Sequence, residues 1–456
     1  MIDPVEALKA FLRCPSVSAD SSYQEGMLGA QDFLSSLFSG IGLEVELVKT
    51  PKHPIILARK GGDPSWPHVV IYGHYDVQPA DPFELWETDP FDPVVKDGRL
   101  YARGAADNKG PLMVHIAAVA DLLIENPDLP LRITFLVEGE EEIGSPSFPE
   151  FVDNHKDTTL KADMVLLSDT SSPSAEQVGI TTALRGLAGL EVYVEGPSGD
   201  LHSGVHGGAV YNPIQALAEI CASLHGPDGK VNVPGFYDSV IEPVDWEIEE
   251  LAKLPTTESS YKEFLGVPEF YELEGIKPIA ATRFAPTLDF NGITGGYQGE
   301  GSKTIIPSKA STKITFRLVA NQDPVVAMKQ IKDAITERCP KGVRVSFKEV
   351  PGGAPYKIVP PGRPNSDPEQ SPVLAKAFEL ADDAVTSVFG KKPLYLAEGG
   401  SIPIISQLKD VAGLDSLMIG LFTSESNLHA PNESFDLKLM ERAIEASRRI
   451  LWGLSQ

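Results

Sequence analysis

The run VVIYGHYDVQPA at residues 69–80 decides the fold. Val69, Val70, Ile71 and Tyr72 are β-branched or aromatic, a short apolar stretch that predicts a buried strand. The strand ends at Gly73, on two chemically loaded side chains, His74 and Asp76. The same design recurs twice: RITFLV at 132–137 runs into EGEEEIGS, and DMVLL at 163–167 runs into Ser168 and Asp169. Helical signals near 4–13, 24–41 and 109–125 alternate with these strands, which predicts an α/β layer fold. Polar residues at strand ends lie where open α/β sheets bind their ligands.

Near residue 185 the pattern changes. LAGLEVYVEG alternates like a half-exposed strand, followed by a helix at 212–224, a strand at 311–319, a helix at 324–338 and a strand at 343–349. The Pro- and Glu-rich stretch 226–285 reads as long loops with short helices, and 351–372 as a Pro/Gly-rich connection back. The C-terminus closes with a helix behind Asp436, with Leu437, Met440, Ile444 and Leu451 along one side. The expected architecture is therefore a mixed-sheet α/β/α domain, 1–184 and 359–456, interrupted by a smaller α+β unit at 185–358.

At 456 residues the chain is longer than one growing core accommodates, which agrees with two domains. Its formal charge of −25 opposes the phosphate neutralisation that nucleic-acid binding requires. A basic stretch leading into an apolar leader is absent from the opening MIDPVEALKAFL, and no segment of about 18 apolar residues occurs, so neither a signal peptide nor a membrane span is expected. Cys14, Cys221 and Cys339 lack metal-site or disulfide spacing, which points to a reducing, cytoplasmic setting.

The candidate chemistry lies in six separate segments. His74 and Asp76 sit two apart in extended chain, so one can bind a metal while the other steadies it; taken singly, such a histidine is an ordinary loop residue. Asp107, in ARGAADNKGPL, stands at a helix start, where aspartate is also a common cap. Glu138, Glu140, Glu141 and Glu142 crowd four carboxylates after a strand, costing repulsion unless cations or protons compensate; a solvated acidic loop is the plain alternative. Asp169 adds a carboxylate, and His202 and His429 add imidazoles. Together, two imidazoles and three carboxylates suit two adjacent divalent ions bridged by one carboxylate.

These segments, in this order, resemble the carnosinase-like family of co-catalytic metallopeptidases, which also includes aminoacylases and succinyl-diaminopimelate desuccinylases. The resemblance rests on GHYDV, WETDPFDPVVKDGRLYARGAADNKG, EGEEEIGS, LLSD, GDLHSGVHGG, KTIIPSKA with FRLV, EGGSIP and the late His429, and spans nearly the whole chain. It implies that Asp107 bridges two divalent ions, zinc or manganese with cobalt as a further choice. His74 and Asp169 would complete one site, and Glu142 and His429 the other. It makes Glu141 the general base, Asp76 the orienter of His74, and Thr304, Arg317, Gly400 and Ser401 substrate binders. His202 would reach the oxyanion across a homodimer interface from the smaller domain, which thus serves as lid and dimerisation unit. Where many relatives carry two consecutive aspartates, this chain reads Asp107-Asn108, which puts local geometry or metal preference in question.

The implied reaction is hydrolysis of a dipeptide, or a similar small peptide with a free carboxylate. Two cations acidify a shared water, Glu141 takes its proton, and the hydroxide attacks a polarised carbonyl. An N-acyl-amino-acid amidohydrolase would use the same groups, and only the specificity pocket separates the two. A catalytically silent metal-binding dimer is the third reading, and it would be expected to have lost a ligand or the base.

Overall fold

The computed structural model describes residues 2–456. His68–His74 is a strand buried along its whole length. It pairs in parallel with Arg132–Glu138 on one side and Met164–Leu167 on the other. The three polar strand ends therefore emerge side by side at one edge of the sheet, which is why residues far apart in sequence can meet there. The sheet has nine strands, in the order Glu44–Val48, Ile55–Lys60, Arg132–Glu138, His68–His74, Met164–Leu167, Ser416–Ile419, Gly179–Leu184 and Tyr356–Lys357. Leu394–Glu398 also pairs with Gly179–Leu184, in parallel. The mixture of parallel and antiparallel pairs matches the mixed sheet expected.

Helix Lys109–Glu125 begins directly after Asp107 and is buried on nearly every side, because it is sandwiched between the sheet and the C-terminal helix Leu437–Leu454. His115 fastens it in both directions: Nδ1 lies 2.9 Å from Ser447 Oγ and Nε2 2.9 Å from Ser168 Oγ, next to Asp169. Burial pushes this imidazole down to about 4, so the folded ring is neutral at neutral pH. The unfolded chain takes up the proton near pH 6.5, so the stability this ring supports is full above that pH and is lost as pH falls towards 4. His115→Gln is expected to flatten the decline of unfolding free energy between pH 6.5 and 4. Parallel denaturant curves for variant and parent across that window would contradict this role.

The smaller unit is an antiparallel sheet in the order Thr287–Gly295, Lys309–Leu318, Gly186–Glu195, Arg344–Gly353. Along Lys309–Leu318, Ile314, Phe316 and Leu318 are buried, in the core shared with helices Pro213–Ser223 and Pro324–Arg338. Strand alternation turns Thr315 and Arg317 to the opposite face. Three short helices, Asp245–Leu251, Glu258–Leu265 and Pro278–Phe284, lie within the 226–285 stretch read as loops with short helices.

Two separate apolar cores follow, one drawing on Leu8 to Leu184 and Tyr356 to Leu454, the other on Ala188 to Ile335. Tyr356–Lys357 pairs with Gly179–Leu184, so the chain rejoins the large sheet ahead of the expected boundary at 358. Among the described residues, no helix is long and apolar enough to cross a membrane.

Candidate active site

His74, fully buried at its strand end, directs Nε2 to within 3.1 Å of Asp107 Oδ1 and 3.8 Å of Asp169 Oδ1. On the other side of Asp107, Oδ2 lies 2.9 Å from His429 Nε2, which is itself 3.4 Å from Glu142 Oε2. One carboxylate thus has an imidazole against each of its oxygens, and each imidazole has a second carboxylate within 3.8 Å. His74, Asp107 and Glu142 offer ligand atoms all within 4.8 Å of one another. The five residues singled out as metal ligands come together from five segments of the chain.

Each is held by its local chain. Asp107 precedes the helix at Lys109 in a turn that needs close approach: Gly104 has φ +85°, and a Cβ on Gly110 would stand 2.1 Å from the Ala105 carbonyl oxygen. His429 is half-exposed and adopts φ 56°, flanked by Asn427 and Asn432 at φ 51° and 62°. Asparagine tolerates that left-handed region, so the loop turns tightly enough to carry the imidazole back over Asp107.

Asp76, expected to orient His74, does more than that. Its carboxylate lies 3.4 Å from His74 Nδ1, but that nitrogen is nearer, at 3.0 Å, to the Asp76 carbonyl oxygen. The same carboxylate accepts from Ser18 Oγ and from the backbone N–H groups of Glu141 and Glu142. It therefore ties the His74 strand end to the turn bearing both glutamates. The Glu141 side chain receives no hydrogen bond from the described residues.

Electrostatics fit a cationic occupant. Burial, then repulsion from Asp107 and its neighbours, pushes the Glu142 carboxyl well above the usual range. Glu141 is raised in the same way by burial and by Asp169, Asp107 and Asp76, despite His74 opposing. Burial also raises Asp107, but hydrogen bonds from His429 and His74 outweigh it and hold that carboxyl below the usual range. A buried surplus of carboxylates with two imidazoles is the oxygen-and-nitrogen donor set that zinc or manganese accepts.

The residues expected to face the substrate form two groups. Arg317 Nη1 donates to Ser401 Oγ at 2.7 Å, next to Gly400. Glu398 at the head of that loop hydrogen-bonds the Ser171 hydroxyl, two residues past Asp169, which links the loop to the metal-ligand cluster. His202 and Thr304 lie elsewhere: both are exposed, His202 pairs with Ile305 in a short ladder, and His202 Nδ1 accepts from the Gly204 N–H. No hydrogen bond or ion pair among the described residues joins either to the cluster.

A model of peptidase family M20/M25/M40 matches residues 70–452. The chain belongs to this family. It is 31% identical over 448 residues to the Cys-Gly metallodipeptidase dug1 of Schizosaccharomyces pombe, covering 95% of this chain and 91% of that one. To the Beta-Ala-His dipeptidase of Homo sapiens it is 32% identical over 392 residues, 85% of this chain and 74% of that protein. An M20 family metallo-carboxypeptidase from Sulfolobus solfataricus superposes with a TM-score of 0.86 at 30% identity, over 100% of both chains. The carnosinase-like resemblance read from the motifs holds, and this M20 protein is a peptidase.

Two residues of this M20 centre escaped the sequence reading. Glu433, fully buried, accepts backbone N–H groups from Gly104, Ala106 and Asp107 and pairs with Arg103 at 2.6 Å. Its only sequence signal is a glutamate four residues after His429, in NESF. Asn108, noted only as a departure, donates from Nδ2 to Asp169 Oδ1 at 2.8 Å and to the Ser168 carbonyl oxygen at 3.0 Å. The amide thus steadies the carboxylate that an aspartate in its place would repel. Asn108→Ala is expected to weaken divalent-ion binding by roughly tenfold, read by competition with a chromophoric chelator; unchanged affinity would remove this role.

Proposed function

We propose that this M20 peptidase hydrolyses the amide bond of dipeptides, or related small peptides with a free carboxylate, using two divalent ions per chain. The reading rests on Asp107, whose Oδ1 lies against His74 and Oδ2 against His429. His74 and Asp169 would hold one ion and Glu142 and His429 the other, with Asp107 shared; zinc and manganese suit these donors, and cobalt also. When bound, such ions acidify water and polarise the scissile carbonyl.

The chain's own groups do the rest. Glu141, whose side chain accepts no hydrogen bond from the described residues, is placed to accept the proton of the attacking water and to deliver it to the leaving amine. Arg317 and Ser401 hold the substrate carboxylate, a charge-assisted contact that fixes register. His202, exposed and joined to its own cluster by no hydrogen bond or ion pair among the described residues, is the donor that a second copy would bring to the oxyanion. The unit from 185 to 358 then acts as lid and dimer interface, over a catalytic domain made of 1–184 and 359–456. A cytoplasmic location accords with the three free cysteines.

Purified protein supplied with manganese or zinc should release amino acids from a dipeptide panel that includes Cys-Gly and β-Ala-His. Faster turnover of acetyl- or succinyl-amino acids than of any dipeptide would replace this reading with the deacylase one. An active monomer by light scattering would remove the cross-subunit role of His202.

A further inference from the structure

Between the outer face of the small sheet and the 258–285 segment lies a cavity of about 930 Å³. Arg185 and Arg317 stand at its floor, and Tyr261, Leu265, Phe270 and Leu273 form part of its walls. The walls are preformed, since the Tyr261 and Phe270 rings stack at 5.9 Å.

The floor is continuous with the substrate loop. Arg185 donates from Nε to the Gly399 carbonyl oxygen at 2.9 Å and from its backbone N–H to that of Gly400 at 3.0 Å, while Arg317 holds Ser401. Neither guanidinium makes an ion pair with a carboxylate among the described residues. Burial, then the neighbouring Arg317, pushes Arg185 down to about 10. Asp289, exposed on the same strand face, is the carboxylate whose field opposes this, and Glu269 on the wall is engaged by Lys262 at 2.7 Å. Two partly buried like charges without an anion between them are costly unless a ligand supplies one. The ligand that meets both features carries a carboxylate beside an apolar group.

We propose that Arg185 joins Arg317 in holding the terminal carboxylate, and that the cavity receives the side chain of the substrate's C-terminal residue, selecting large apolar or aromatic ones. This deepens the dipeptidase reading and rests on it. Glycine at that position leaves the walls unused, whereas phenylalanine or leucine buries its side chain against them.

The experiment compares kcat/KM for Ala-Phe and Ala-Gly with the manganese-loaded enzyme, alongside calorimetric binding of free L-phenylalanine and glycine. Ala-Phe should be favoured at least about tenfold, the scale on which apolar pockets discriminate. Phe270→Ala should lower Ala-Phe about tenfold more than Ala-Gly, and Phe270→Leu should restore most of the difference. Arg185→Ala should raise KM for both substrates with a smaller effect on kcat. Equal wild-type values for the two dipeptides, or equal losses in Phe270→Ala, would overturn the subsite while leaving the dipeptidase reading standing. No turnover of either dipeptide, with L-phenylalanine still bound more tightly than glycine and that preference lost in Phe270→Ala, would retain the subsite and overturn the dipeptidase reading. No turnover without that preference would overturn both.

Discussion

Glu141→Gln leaves the protein folded and loaded with metal but lowers kcat by a factor on the order of 10²–10⁴, the range expected when a general base is removed. The amide has the shape of the carboxylate and cannot take a proton. Because the Glu141 side chain accepts no protein hydrogen bond, its replacement breaks no contact that supports the fold; its backbone N–H, which donates to Asp76, remains in place. Burial and the surrounding carboxylates raise its proton affinity, and bound cations would offset that, leaving a carboxylate able to take the water's proton and pass it to the leaving amine. Elemental analysis should give the same metal content as the parent, with a KM that moves little. A variant retaining more than a tenth of the parent kcat would require another base.

Asp107→Ala removes the carboxylate that both imidazoles address, and it is expected to reduce bound metal from two ions per chain towards none. Turnover should fall by roughly 10³-fold or more, since water activation and carbonyl polarisation are lost together. His429→Ala makes the contrast: among the described residues its ring pairs with Asp107 Oδ2 and Glu142, so one ion should persist with His74 and Asp169. Mass spectrometry under native conditions distinguishes these outcomes. Two ions retained by Asp107→Ala would show that the carboxylate is not shared.

Much of this centre was legible in the sequence because its parts sit at strand ends, and strands announce themselves locally. VVIYGH, RITFLV and DMVLL are apolar runs whose period and residue types identify them, and His74, Glu141, Glu142 and Asp169 follow within a few residues. Their adjacency was not legible, since nothing in the runs specifies that His68–His74 lies between the other two. Asp107 and His429 stood out only in combination with the other candidates, and their roles came from the family resemblance, because neither a helix cap nor a loop histidine distinguishes itself locally. Glu433 was invisible for a related reason: its partners are main-chain N–H groups more than 300 positions away, and a main-chain donor leaves no mark in the sequence. Arg185 was overlooked because its meaning comes from Arg317 and the glycine loop at 399–400, both distant in sequence. Asn108 was read as a departure that put local geometry or metal preference in question, where the fold uses its amide as a donor to Asp169.

The Glu433 carboxylate also sets an order of events during biosynthesis. It grips the Asp107 main chain across 326 positions, and it travels on the same late loop as His429. While a ribosome is still extending the polypeptide, the first 400 or so positions present an Asp107 turn with its donors unanswered and half its imidazoles missing. The pair of sites is therefore complete only once the final stretch has left the exit tunnel, since His429 and the Glu433 grip on the Asp107 turn both arrive with it.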